Sequence, residues 1–189
     1  MRRTVFILAL ALMALAAPSP GHAQGFRTDY SPFVGEYVGQ VVFTTPTGLS
    51  KRDLQVVVRR ESDGFSIEWT TETQRPDGRI KSERYFVAFK PAAGRPGFYI
   101  PTDKIDRFGA RLPLNPIEGD PQLVAKIEGQ TLTVYASLIA DDGAHEVQTY
   151  ERTLVPGGMR LTFSRVRNGE PMKAIEAELK TKEQGIILR

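Results

Sequence analysis

The sequence predicts an all-β protein, built as a single antiparallel up-and-down β-barrel of about ten strands. Short segments alternate apolar and polar side chains with a period of two, which buries one face of each strand. Compact turns such as Asp63-Gly64, Asp77-Gly78 and Asn168-Gly169 separate these segments and make successive strands antiparallel neighbours. Closure into a barrel then removes the exposed sheet edges that promote aggregation.

The first 23 residues have the pattern of a secretory signal peptide. Arg2-Arg3 precedes an apolar stretch from Val5 to Ala17, and small residues follow at the cleavage positions. This stretch is shorter than the roughly 20 residues of a spanning helix, so we predict cleavage near Ala23-Gln24 and no transmembrane anchor. The chain contains no cysteine, which excludes disulfides and a lipid-modified cysteine. We expect a soluble mature chain, 24–189, in the periplasm or secreted.

The mature chain is long enough to form one domain with its own core. The precursor has 25 Lys and Arg against 22 Asp and Glu, and removal of Arg2 and Arg3 leaves it almost neutral. Charges of both signs alternate along the strands, and no basic tract follows them. Nucleic acid is therefore not an expected partner.

Ten segments are predicted as strands: 33–44, 53–61, 65–73, 79–90, 96–101, 121–127, 131–140, 144–155, 159–167 and 172–181. The last of them is also rich in good helix formers. The Asn168-Gly169 turn before it favours a hairpin, and Ile175, Ala177 and Leu179 alternate with charged residues. We therefore predict a strand there, one that pairs with the first strand and closes the barrel.

The segment 102–120 interrupts this series of hairpins. It is long and contains Pro113 and Pro116, with apolar side chains at Phe108 and Ile117 among others. Long loops in compact domains are often functional. The sequence leaves two interpretations open: a lid that folds over one mouth of the barrel, or a plug that packs permanently against its end.

The first strand carries the motif Gly35-x-Tyr37-x-Gly39. This motif resembles the Gly-x-Trp start of the calycins, the superfamily of lipocalins, fatty-acid-binding proteins and nitrobindin-like barrels, with tyrosine in place of tryptophan. Ten strands fit the last two groups better than the eight of lipocalins. The resemblance implies that Tyr37 packs at the base of the barrel against a basic residue of the last strands, here Arg165, Arg167 or Lys180.

Aromatic and basic residues on plausible inward faces form the candidate ligand-binding set. Its members are Tyr37, Trp69, Arg84, Phe86, Tyr150, Arg152 and Phe163. Apolar walls with a few polar groups are typical of small-molecule sites. In strand four the alternation does not decide whether Arg84 and Phe86 or Tyr85 and Val87 face inward.

Tyr150 and Arg152 are two residues apart, so they share one face of their strand. If that face is inward, the pair resembles the arginine and tyrosine that hold an acidic head group in fatty-acid-binding proteins, in the reverse order along the chain. The alternative is that Val147, Thr149, Thr153 and Val155 face inward, which leaves Tyr150 and Arg152 in water. The sequence does not choose between the two.

The sequence offers no catalytic residues and no metal site. Because His22 belongs to the signal peptide, His145 is the mature chain's single histidine, and no cysteine accompanies it. A nitrobindin-like resemblance would make His145 an axial haem ligand, since one imidazole can hold haem iron in an apolar pocket. Its position directly after the Asp142-Gly143 turn favours a solvated turn histidine instead.

Three classes of function remain open. The leading hypothesis is an exported barrel that binds a hydrophobic or amphipathic small molecule, such as a lipid, a fatty acid or a pigment, in its interior. The second is a non-catalytic envelope scaffold with a filled barrel, which contacts a protein partner through 102–120 or the apolar tail 185–189. The third is an enzyme, such as a haem-dependent or isomerase-type barrel, and a non-enzymatic function is the expectation.

Overall fold

A computed structural model describes residues 29–46, 48–106 and 108–182. The predicted signal peptide and the tail 185–189 lie outside these residues. In the described part, eleven strands are present: β1 (Gly35–Thr45), β2 (Gly48–Glu61), β3 (Gly64–Gln74), β4 (Ile80–Pro91), β5 (Phe98–Ile105), β6 (Arg111–Pro113), β7 (Gln122–Glu128), β8 (Thr131–Ile139), β9 (His145–Val155), β10 (Gly158–Arg167) and β11 (Glu170–Thr181). Short 3₁₀ helices cover Ser31–Phe33 and Pro116–Glu118.

Ten of these strands form a closed antiparallel barrel, so the predicted fold class is confirmed and is consistent with a calycin-like architecture. Consecutive strands pair with each other, except that β7 pairs with β5 and not with the short β6. β1 pairs with β11 to close the sheet. The last segment is a strand, as predicted. Its helix-forming residues yield to cross-strand pairing because β11 is paired with β10 along almost its whole length.

The end of the barrel that carries the N-terminal 3₁₀ helix is filled, and we call it the closed end. Phe33 is fully buried there, and the Tyr30 ring stacks on Phe65 with centroids 5.2 Å apart. Phe65 also stacks on Phe89 at 5.4 Å. The opposite end, formed by hairpins such as β1–β2 and β3–β4, is called the open end.

Tyr37 is buried in this core near the closed end, where the motif predicts an aromatic residue. Its hydroxyl donates a hydrogen bond to the Phe33 carbonyl at 3.1 Å. The resemblance also implies that Tyr37 packs against one of three basic residues, but the described contacts of these residues lie elsewhere. Arg165 and Arg167 bind Glu146 and Asp142 respectively. Lys180 lies on the outer face, because it neighbours the inward Leu179.

The segment 102–120 is more regular than predicted. β5 continues to Ile105 and pairs with β6, where a loop was expected. The hairpin is held on the outer wall: the Arg111 guanidinium lies 5.0 Å from the ring centroid of Phe86 and binds both carboxylate oxygens of Glu61 at 3.0 Å. Phe108 and Ile117 are exposed. In the described residues, 102–113 therefore belongs to a hairpin against the wall, and Leu114 after it packs against the buried core.

Candidate functional site: an internal cavity with a buried arginine

The part of the barrel interior toward the open end contains a cavity of about 450 Å³. This volume lies within the range of small-molecule sites, about 300–1,000 Å³. Residues of β1–β4 and β9–β11 line it. It shares Arg52, Lys81 and Glu83 with a wider cavity of about 710 Å³ beside the β3–β4 hairpin, so it extends toward the open end.

Strand β9 places its even-numbered residues in this cavity. Tyr150 lies opposite Val134 of β8 and Phe163 of β10, and Arg152 lies opposite Leu132 and Leu161. Val134 and Leu132 are buried core residues. Because side chains alternate along a strand, Thr149 and Thr153 face outward. The structure therefore resolves the open alternative in favour of inward Tyr150 and Arg152.

Four aromatic rings cross the cavity as a continuous layer. Trp69 stacks on Tyr85 with centroids 5.4 Å apart and contacts Tyr150 at 5.6 Å, and Tyr150 contacts Phe163 at 4.9 Å. Trp69 belongs to β3 and Tyr150 to β9, which are not neighbours in the sheet. The contact between them therefore joins two walls of the barrel across its interior.

Arg152 is the most unusual residue of the site. Its side chain is fully buried, at 1% exposure, and its Cζ lies 5.5 Å from the Trp69 ring centroid and 5.8 Å from that of Tyr150. Its Nε and Nη1 have no hydrogen-bond partner among the described residues. Burial lowers the pKa of Arg152 to about 10, so the guanidinium keeps its charge at neutral pH. The cavity thus contains a cation that no described carboxylate neutralises.

A chain of hydrogen bonds runs along the same face of β9 toward the open end. The Tyr150 hydroxyl donates to Oε1 of Gln148 at 2.6 Å, and Nε2 of Gln148 donates to Glu146. Arg165 donates to the other carboxylate oxygen of Glu146 at 2.5 Å. The carboxylate of Glu146 therefore neutralises Arg165, and none of these hydrogen bonds involves Arg152.

Glu146 and Tyr150, two members of this hydrogen-bonded series, have shifted pKa values. Burial is the largest influence on Glu146 and raises its pKa, but hydrogen bonds from Gln148 and Arg165 outweigh it and hold the pKa below its usual value. Burial raises the pKa of Tyr150 to about 12, against the opposing charge of Arg152. At neutral pH the site therefore holds an ionised Glu146, a protonated Tyr150 and a cationic Arg152.

The structure brings four of the seven predicted site residues together: Trp69, Tyr150, Arg152 and Phe163 all line the cavity. Tyr37 belongs to the core of the closed end. Arg84 and Phe86 are placed on the outer face of β4, because Tyr85, Val87 and Phe89 face inward opposite Trp69, Ile67 and Phe65. Arg84 there binds Glu68 at 2.8 Å.

Sequence reasoning missed several residues of the cavity, above all Arg52 and Tyr85. Arg52 was missed because the predicted second strand began at 53, whereas β2 begins at Gly48. Its position two residues before Leu54 would have placed it inward. The alternation of β4 does not decide whether Tyr85 faces inward, so the sequence alone does not identify it as a cavity residue.

His145 lies on the outer face of β9, one residue before the inward Glu146, and is exposed. Its Nε2 is 2.9 Å from the Ser137 hydroxyl, and its backbone N–H donates to the Asn168 side chain at 3.0 Å. An imidazole in this position does not face the cavity and does not fit an internal haem ligand. No cluster of three or more metal-ligating side chains occurs in the described ranges.

These features define a closed antiparallel barrel with a partly aromatic internal cavity and one buried, unpaired cation. Comparison with known proteins finds no protein family that matches the chain and no curated protein with a significant sequence match. The part of the chain that the structure describes has no helix long and apolar enough to cross a membrane.

Proposed function

We propose that this chain is an exported binding protein for an amphipathic small molecule, such as a lipid or a fatty acid, with an anionic head group. The ligand occupies the central cavity, and its head group binds Arg152. The signal-like sequence of residues 1–23 is the basis for export.

The observation that carries the proposal is the unpaired state of Arg152. A buried charge costs several kcal/mol unless it is paired and hydrogen-bonded. Arg152 has two buried nitrogens without partners in the described part of the chain, and it lines a cavity large enough for a ligand. A carboxylate or a similar oxyanion accepts hydrogen bonds from a guanidinium and offsets its charge.

The charges around the cavity also favour an anion. Arg52, Lys81, Arg152 and Arg165 line it, whereas Glu83 is the one carboxylate among its described lining residues. Lys81 binds Glu83 at 2.6 Å, and Arg165 binds Glu146. Two arginines therefore remain without a described carboxylate partner.

The apolar walls provide the second part of the recognition. Val41, Leu161, Phe163 and Ile175 line the cavity together with Trp69. Burial of apolar ligand surface against them contributes about 25 cal/mol for each Å² removed from water. A molecule with an apolar body and one acidic end would match this distribution of groups.

The first test is native mass spectrometry of the mature protein purified from its own host, followed by organic extraction of any bound molecule. A stoichiometric acidic lipid or acidic pigment would support the proposal and identify the ligand class. A mass equal to that of the chain alone, unchanged after fatty acids and lipids are added, would contradict it and favour the scaffold hypothesis.

A matched pair of variants tests the role of Arg152. Arg152→Met removes the buried cation, and Arg84→Met removes an exposed cation on the outer face of β4. Binding of a fatty acid, followed by the fluorescence of Trp69, should weaken at least about tenfold in the first variant, as expected for loss of a charge-assisted contact of about 1.4 kcal/mol or more. It should stay unchanged in the second. Equal binding by both variants would rule out Arg152 as the head-group site.

A further inference from the structure

We infer that the gap between β1 and β11 beyond Gly39, which we call the seam, is a second subsite. It takes the apolar tail of a long-chain ligand whose head group lies at Arg152. This inference rests on the proposed function and adds a chemical class to it: an unbranched aliphatic chain that extends from the central cavity into the seam.

The seam is visible in the pairing of the two strands. Among the described residues, β1 and β11 pair at Tyr37 with Thr181, Val38 with Lys180, and Gly39 with Leu179, and next to them the Lys182 N–H donates to the Glu36 carbonyl. β1 nevertheless continues to Thr45, and β11 begins at Glu170. On their other sides, β1 pairs with β2 over its full length, and β11 pairs with β10 from Lys180 to Glu170. The barrel wall is therefore unpaired between these strands toward the open end.

Gly39 marks the point where the seam begins. A Cβ atom at this position would lie 2.6 Å from the carbonyl oxygen of Glu178 and 2.6 Å from a methyl carbon of Leu179. Such distances are too short for a real side chain, so the two strands approach this closely only because residue 39 is glycine. Beyond this contact their pairing ends.

A cavity of about 370 Å³ occupies the seam. Its walls are mainly aliphatic and aromatic, with Val41, Val42, Phe43, Ala174 and Ile175 as the apolar members. Two charged residues complete the described lining, and both have partners: Arg52 donates to the Thr73 hydroxyl at 2.8 Å, and Glu176 binds Arg160 at 3.3 Å. A surface of this composition suits an apolar chain better than a polar group.

The seam cavity adjoins the central cavity, and Val41, Arg52 and Ile175 line both. In the register of the sheet, Arg152 lies beside Leu161, which lies beside Ala177 of β11. Ile175 is two residues from Ala177 toward the open end, a rise of about 7 Å. A tail that starts at Arg152 therefore reaches the seam after it passes Leu161.

The test compares octanoate with hexadecanoate on the unmodified protein and on two seam variants, Val42→Trp and Ala174→Trp. Both positions line the seam cavity and not the central one, and both are exposed, so a larger side chain is compatible with folding. Ile100→Trp, on the distant strand β5, is the matched control because Ile100 is also partly exposed. Dissociation constants are measured from Trp69 fluorescence or by calorimetry, with calorimetry for the variants that add a tryptophan.

In the unmodified protein, affinity should rise by up to about fourfold for each added methylene, the factor that corresponds to about 0.8 kcal/mol per buried CH₂. The seam variants should lose at least about tenfold of the hexadecanoate affinity and keep the octanoate affinity. The control should keep both.

The possible failures are distinguishable. If octanoate binds in an Arg152-dependent way but both seam variants bind hexadecanoate as well as or better than the unmodified protein, the seam inference is overturned and the proposed function stands. Equal losses for the two acids would also overturn the seam as a separate tail subsite. If neither acid binds, or Arg152→Met changes nothing, the proposed function fails and the seam inference fails with it.

Discussion

The guanidinium of Arg152 lies against the indole of Trp69, with 5.5 Å between Cζ and the ring centroid. The two residues belong to β9 and β3, strands on different walls of the barrel. A cation over an aromatic face is stabilised by about 0.5–2 kcal/mol, which is less than the cost of burying a charge without a carboxylate. The pair therefore leaves the ligand-free cavity with an unfavourable charge.

Replacement of Arg152 by methionine should stabilise the ligand-free protein. Even buried ion pairs can be replaced by hydrophobic residues of similar volume with a gain of about 1–4 kcal/mol. Arg152 has no carboxylate partner to lose, so we expect a gain in the free energy of unfolding within this range. Urea denaturation at neutral pH measures it. Arg84→Met should change stability by less than about 0.5 kcal/mol, because Arg84 is exposed. A clear loss of stability in Arg152→Met would mean that the arginine is a structural residue of the apo protein.

Tyr150 should be among the last tyrosines to ionise. Burial raises its pKa to about 12, whereas an unfolded tyrosine titrates near about 10. Between these values the folded state binds the extra proton, so the contribution of Tyr150 to stability is full below pH about 10 and is lost as the pH rises to about 12. Burial lowers the pKa of Arg152. In strong alkali this residue therefore raises the free energy of unfolding as the pH increases, whereas Tyr150 lowers it.

Spectrophotometric titration of the phenolate absorbance therefore measures Tyr150 more directly than stability does. The folded protein should show a component near pH about 12, and Tyr150→Phe should remove it. If this variant removes a component near the ordinary pKa of tyrosine instead, the phenol is solvated rather than buried.

Glu146 should contribute stability that disappears in acid. Hydrogen bonds from Gln148 and Arg165 hold its pKa below the usual value despite burial, which alone would raise it. A carboxyl with a lowered folded pKa stabilises above its unfolded pKa of about 4.3 and loses this contribution as the pH falls through the folded pKa. Glu146→Gln should therefore be less stable than the unmodified protein at neutral pH, with a difference that narrows in acid.

Unfolding free energies at a series of pH values test this behaviour. Glu151→Gln serves as the control, because Glu151 is an exposed glutamate on the outer face of the same strand. A Glu146→Gln difference that stays constant with pH would show that the carboxylate is not the source of the stability.

Most of the fold could be predicted because its signals are local. Alternation and turn residues identify ten strands from a few neighbouring residues each, and the Asn168-Gly169 turn outweighs the helix propensity of the last segment. Strand ends were less well predicted. The polar start of β2, around Lys51 and Arg52, shows little alternation, because side chains near the open end face a cavity rather than a dry core.

The site could be predicted only in part because it depends on contacts between distant residues. The alternation of β4 leaves the face of Phe86 undecided, and it is Arg111 of the distant β5–β6 hairpin that covers this ring on the outer face. Whether Arg152 is paired depends on which side chains the opposite wall supplies, and this wall presents Trp69 where a carboxylate would have neutralised it. The spacing of Tyr150 and Arg152 identified the pair, and the register decided its face.

Phe33 should be essential for the closed end of the barrel. It is fully buried in the 3₁₀ helix Ser31–Phe33, and its carbonyl accepts the hydrogen bond of Tyr37. Phe33→Ala should lower the free energy of unfolding by about 3–5 kcal/mol, the range for truncation of a buried phenylalanine. Chemical denaturation measures this loss, and Ile139→Ala, at an exposed position, should cost little. A small loss in Phe33→Ala would indicate that the barrel closes without this residue.

Gly39 should be intolerant of a side chain because it lies where β1 contacts β11. A Cβ atom there would meet backbone and side-chain atoms of β11 at 2.6 Å, so Gly39→Val must displace one strand and should lower the free energy of unfolding by about 1–3 kcal/mol. Amide hydrogen exchange should also accelerate at Val38 and Lys180, which pair beside it.

Gly35→Ala is the control for Gly39→Val, because the three atoms nearest to a Cβ at Gly35 all belong to Tyr37, at 3.3 Å or more, and none belongs to β11. It should cost less than Gly39→Val, and the exchange rates of β11 should not change. Equal effects of the two variants would show that the loss comes from glycine in a strand generally and not from the contact that closes the barrel.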